Sequence, residues 1–168
     1  LKLAYTRFEK KIPEEFWKFC GDESHWLNDY ALFMALKDAH NGAAWMEWED
    51  ELRHRNWDAI ESAKRKYAED ILYYKMLQYL FYKQWNNLKE YVNSKGIEII
   101  GDVPIYVSGD SADVWSNPSQ FYLDENLRPI DVAGCPPDAF SADGQLWGNP
   151  LFRWDAMRMD NYEWWTRR

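Results

Sequence analysis

The chain has 168 residues, a net charge of −8 at neutral pH and an aromatic content of 18%, with 11 Trp and 11 Tyr. That length supports one domain with a sizeable core, and the acidic balance argues against binding a nucleic-acid backbone, which needs clustered Lys and Arg. No apolar run approaches the roughly 18 residues of a membrane span, and the first residues carry no signal-peptide pattern, so neither a nucleic-acid nor a membrane partner is expected. Leu1 is not an initiator Met, and "NYEWWTRR" stops inside a helical pattern, so the sequence is expected to be a piece of a longer polypeptide.

Residues 1 to 95 read as helical. Pro13, Glu14 and Glu15 suit a first turn, and Gly21 suits its stop. Ser24 offers a cap for a second helix, in which Trp26, Tyr30, Phe33 and Met34 recur at helical spacing until "HNG" at 40 to 42. From Trp57 to Ser94 the pattern is helical almost throughout, with Leu77, Leu80, Phe81, Leu88, Tyr91 and Val92 forming the apolar stripe. So long a span predicts a break near Tyr67 to Asp70, and Gly96 suits the C-terminal cap.

After Gly96 the period changes. Ile97, Ile99 and Ile100 predict a short buried strand, and helix, glycine, buried strand is the order of an α/β unit. Pro104 lacks an N–H, so pairing should end near Val103 and leave Asp102 at the carboxyl end of the strand. Parallel α/β folds place ligands there. A carboxylate in that position either meets a ligand or caps the next loop or pairs with an Arg. From Ser108 to about Pro150 the chain reads as one long loop, in which Trp115, Phe121, Tyr122, Phe140 and Trp147 argue against disorder. A helix is expected to restart near Trp154 and continue to Arg168.

Within that loop, "AGCPPDAFSADGQLWGNP" (133 to 150) interleaves short polar groups with Phe140 and Trp147. Polar groups at the edge of a sugar and an aromatic face against it are what a glycan subsite needs, although a packed surface loop has the same composition. Asp110 and Asp113 lack the alternation of an EF-hand calcium loop. His25, His40 and His54 share no metal-ligand spacing, so no metal site is expected. Cys20 and Cys135 lack CxxC spacing and read as packed thiols in a reducing compartment. Among 28 acidic residues, spacing alone identifies no glycosidase pair.

Three stretches, "IEIIGDVPIYVSGDSADVWSNP", "VAGCPPDAFSADGQLWGNPLFRWD" and "WLNDYALFMALK", together resemble the bacterial 4-α-glucanotransferases, called amylomaltases, and the disproportionating enzymes of plants. "YYKMLQYLFYKQWNNLKEYVNSKGI" is similar to the family's helix before its third barrel strand. The resemblance implies an α/β fold, a fragment of a (β/α)8 TIM barrel carrying an inserted helical subdomain. Residues 1–95 would be that insertion plus the helix before strand three. Residues 96–168 would be strand three, the long glucan-binding loop and the start of the next helix.

The implied reaction is transfer of α-1,4-glucan segments between maltodextrins, with retention, in the cytoplasm and without a cofactor. By resemblance, Asp102 supports the site without attacking the sugar, and Asp138, Phe140, Ser141, Gln145, Trp147 and Asn149 bind glucan. Ala139 stands where relatives often have Tyr, and Cys135 replaces a more common aliphatic residue. The family's nucleophile motif, like "RIDHFRG", and its acid–base Glu do not occur in the sequence, so the chain alone is expected to be inactive. An opened barrel exposes strand edges, so the isolated chain is also expected to self-associate. The competing readings are an α-amylase-type hydrolase, a non-catalytic glucan-binding protein and a helical interaction module.

Overall fold

A computed structural model describes all 168 residues. In chain order the helices are α1 (Lys2–Phe8), α2 (Glu14–Asp22), α3 (Ser24–Ala39), α4 (Asp50–Arg53), α5 (Trp57–Lys66), α6 (Ala68–Ser94), α7 (Ala112–Ser116), α8 (Trp154–Met159) and α9 (Glu163–Arg167). Two strands, β1 (Val132–Cys135) and β2 (Gln145–Pro150), separate α7 from α8. The chain divides into two compact units: Leu1–Gly42 with Arg55–Val103, and Ala43–His54 with Pro104–Arg168.

The first unit is helical. Glu14 and Glu15 occupy the first turn of α2, where the helix dipole favours negative charge. The helix continues through Gly21 to Asp22, and Glu23, with no side-chain cap, joins it to α3. Ser24 therefore lies inside α3 and does not cap it. Leu27, Ala31, Leu32, Phe33, Ala35 and Leu36 are buried, so α3 is covered on more than the expected face, while Trp26, Tyr30 and Met34 are only half-buried. Asn41 and Gly42 then turn left-handed, and their amides close back on Asp38 and Lys37 at 3.1 and 2.7 Å.

Helix α5 starts at Asn56, whose side chain accepts the Asp58 amide, and breaks from α6 at Tyr67, inside the expected window. The end of α6 is a Schellman cap. The amides of Gly96 (φ +73°) and Ile97 donate to the Asn93 and Val92 carbonyls at 3.0 and 3.3 Å. Phe16, Met76 and Tyr79 form a buried cluster, with Phe16 edge-on to Phe8 at 5.2 Å and to Tyr79 at 5.6 Å. Tyr74 Oη donates to Asp38 at 2.7 Å, tying α6 to α3. Burial and the Asp38 carboxylate together push the Tyr74 hydroxyl above the ordinary tyrosine range.

Two further expectations for this unit are corrected. The apolar stripe of α6 is covered only along its first half. Leu77 and Leu80 pack on the core cluster, whereas Phe81, Leu88 and Tyr91 are exposed. The reason is length: α2 has 9 residues and α3 has 16 against 27 in α6, or about 14 and 24 Å against 40 Å at the helical rise. The second correction concerns residues 97–103, which form no strand; Ile97, Ile99 and Val103 are exposed and Ile100 is 95% exposed. A strand exists through its ladder, and no other part of the chain pairs with this segment.

The second unit is built around indoles. Trp45 and Trp115 are fully buried, and each satisfies its ring N–H on a backbone carbonyl, Gly109 at 2.7 Å and Leu52 at 3.0 Å. Trp48 meets Trp115 edge-on at 5.7 Å. The stretch expected to be one irregular loop contains real structure. Ser111 Oγ accepts the Val114 amide to cap α7, and β1 pairs antiparallel with β2 in the register Gly134↔Leu146 and Cys135↔Gln145. The helix expected from Trp154 onward is split by left-handed Asn161 and Tyr162 into α8 and α9.

Candidate functional site

Residues 136–144 connect β1 to β2 as a stiffened loop. Pro136 and Pro137 each fix one backbone dihedral. Gly144 adopts φ +72°, and a Cβ there would lie 2.5 Å from the Cys135 carbonyl oxygen and 3.1 Å from Pro136 C and Pro137 N. A Cβ on Gly134 would meet the Gln145 carbonyl oxygen at 2.5 Å. The two strands approach this closely only because both positions lack side chains.

The tip of the loop is held by side-chain hydrogen bonds. Asp138 Oδ1 accepts the amides of Phe140 and Ser141, both at 2.8 Å. The Asp138 amide donates to the Ser141 carbonyl at 3.0 Å, and Ser141 Oγ donates to the Gly144 carbonyl at 2.7 Å. On this frame the Phe140 side chain is 96% exposed.

On β2, Trp147 is half exposed, and its ring N–H donates to Gln145 Oε1 at 2.9 Å. Behind it stands Tyr106, 6.0 Å away, which stacks in turn on buried Phe152 at 6.0 Å and 9°. Asn149 Nδ2 donates to the Val107 carbonyl at 2.7 Å, fixing β2 to the segment that carries Tyr106.

Five of the loop residues named from the sequence thus have internal partners, and Phe140 presents its ring to solvent. Asp102 lies in the other unit, in the exposed segment 97–103, with its carboxylate at the surface. Asp110 and Asp113 are engaged by indole-bearing residues: Asp110 Oδ1 accepts the Trp45 amide at 3.2 Å, and Asp113 Oδ1 accepts the Trp164 ring N–H at 3.2 Å. Tyr106 and Gly144 were not singled out as site residues by sequence reasoning. The "DG" at 143 to 144 was the available turn signal for the second, whereas only tertiary packing reveals the first.

Chemically, the loop offers flat apolar faces bordered by amide and hydroxyl groups. It suits a ring with polar edges, and one carboxylate oxygen of Asp138, Oδ1, is taken up by two backbone amides.

The whole chain, residues 1–168, matches the family model described as 4-alpha-glucanotransferase. It is 52% identical over 169 residues to the 4-alpha-glucanotransferase of Clostridium butyricum, covering 100% of this chain and 35% of that protein. It is 49% identical over 172 residues to the enzyme of the same name from Thermus thermophilus, covering 100% of this chain and 34% of that protein. Among solved structures, amylomaltase from Streptococcus agalactiae in complex with acarbose superimposes with a TM-score of 0.91 at 44% identity, over 96% of this chain and 33% of that one. The chain therefore spans about a third of the length of the relatives it matches. By a match that runs from its first residue to its last, it belongs to the 4-alpha-glucanotransferase family.

Proposed function

We propose that the chain is the glucan-binding portion of a retaining 4-α-glucanotransferase that moves α-1,4-glucan segments between maltodextrins. The observation that carries this reading is the pair Phe140 and Trp147, two aromatic faces left open to solvent on a loop whose own hydrogen bonds and glycines hold it in shape. Family membership and the acarbose complex of the S. agalactiae relative support it.

On this reading the reaction is a double displacement, in which a carboxylate forms a covalent glycosyl-enzyme that a second sugar resolves. The nucleophilic Asp and acid–base Glu come from polypeptide outside residues 1–168. Asp102 supports the bound sugar from the segment 97–103, which corresponds by resemblance to the third strand of a (β/α)8 barrel. Residues 1–95 are the helical insertion with the helix before that strand, and residues 96–168 carry the strand and the binding loop. Phe140, Gln145, Trp147 and Asn149 line the acceptor side, where a held sugar outcompetes water for the intermediate. The reaction needs no cofactor and is assigned to the cytoplasm.

Product analysis on maltotriose with the complete polypeptide tests the reading. Glucose is expected to rise together with maltopentaose and longer chains. Glucose and maltose alone would identify a hydrolase, and glucan bound without turnover would identify a binding protein.

A further inference from the structure

We infer that Asp138 is a positioning residue, which acts on the glucan through the conformation of Phe140 rather than by touching sugar. This rests on the glucan-binding reading of the loop and assigns a division of labour within it.

The two parts of the loop are stiffened differently. Its base is constrained covalently and sterically, by Pro136, Pro137 and the close approach of Gly144 to the Cys135 carbonyl. Its tip, 138 to 141, contains no proline or glycine. There the shape is set by one carboxylate oxygen, Asp138 Oδ1, which accepts the amides of both Phe140 and Ser141 at 2.8 Å. The Asp138 amide and the Ser141 carbonyl close the turn from the other side at 3.0 Å.

Phe140 has no packing partner to hold it, being 96% exposed. An apolar ring in water gains by folding back onto protein, so its outward position depends on the backbone of residues 138 to 141. A ring already held outward stacks on an arriving sugar without the entropy loss of ordering a free turn. Asp138 supplies that order, and Ser141 Oγ locks the turn to the constrained base through the Gly144 carbonyl.

The test is a double-mutant cycle in the complete polypeptide, measuring transfer from maltotriose to labelled glucose. Asp138→Ala is expected to raise the acceptor KM about tenfold while kcat changes less than about twofold, since the loss is one of binding. Asp138→Asn keeps an acceptor oxygen and recovers most of that loss. On a Phe140→Ala background, Asp138→Ala adds nothing. Multiplying effects of Asp138→Ala and Phe140→Ala would overturn the inference, because each residue would then touch sugar independently. Equal impairment by Asn and Ala would also overturn it, since only a direct contact would require the carboxylate itself.

Amide hydrogen exchange provides a readout that does not depend on transfer. Phe140 and Ser141 are expected to lose protection in Asp138→Ala and to keep it in Asp138→Asn. Unchanged protection in Asp138→Ala overturns the positioning role even if the enzyme transfers glucan as proposed. A polypeptide that shows the exchange pattern but transfers no glucan would instead sink the transferase reading and leave the turn device standing.

Discussion

Trp115→Ala is expected to destabilise the unit formed by Ala43–His54 and Pro104–Arg168 by about 3–5 kcal/mol. Trp115 is fully buried, meets Trp48 edge-on, and donates its ring N–H to the Leu52 carbonyl. It stands in a unit with few regular elements, where α7 is five residues long and the sheet has two strands. Side-chain packing therefore carries much of the stability. A loss of that size is a large share of the roughly 5–15 kcal/mol that stabilises a domain. Trp115→Phe keeps much of the ring and removes the donor, so a smaller loss of about 1–3 kcal/mol is expected from the stranded Leu52 carbonyl. Urea unfolding followed by near-ultraviolet circular dichroism measures both. Equal effects of Ala and Phe would show that the hydrogen bond, not the ring, is what matters.

Gly144→Ala has the second large effect. Its φ of +72° alone disfavours an L side chain by about 1 kcal/mol. The added Cβ would also lie 2.5 Å from the Cys135 carbonyl oxygen and 3.1 Å from Pro136 C and Pro137 N, backbone atoms with little freedom to move. The combined loss is expected at about 2–4 kcal/mol, with the β1–β2 register disturbed. Gly96→Ala is the internal comparison. That glycine has φ +73°, but a Cβ there meets nothing within 4 Å, so only the backbone penalty of about 1 kcal/mol applies. If thermal or urea unfolding gives the same loss for both substitutions, the close approach at Gly144 is not what fixes the hairpin.

These residues also show what could be read from the sequence and what could not. The break at Tyr67, the left-handed end at Asn41–Gly42 and the Gly96 cap are local events, decided by a few neighbouring residues, and each fell where local chemistry put it. The β1–β2 hairpin escaped because its strands are short and their pairing spans 136–144, with an irregularity between Val132 and Gly134. The apolar stripe of α6 was visible as a period, but a period does not say how far a neighbouring helix extends to cover it. Residues 97–103 carried a strand's composition without a partner to make it a strand. In the loop, the residue types that suit sugar were legible as a set. That the Asp138 oxygen serves two backbone amides, while Phe140 stands free, is a matter of geometry that composition does not contain.

If the 133 to 150 loop holds an acceptor sugar, Phe140→Ala changes the ratio of transfer to hydrolysis in the complete polypeptide. Removing the exposed ring is expected to shift that ratio toward water by about five- to tenfold, the equivalent of one lost stacking contact. An unchanged ratio, with an unchanged acceptor KM, would contradict the assignment of this loop to the acceptor.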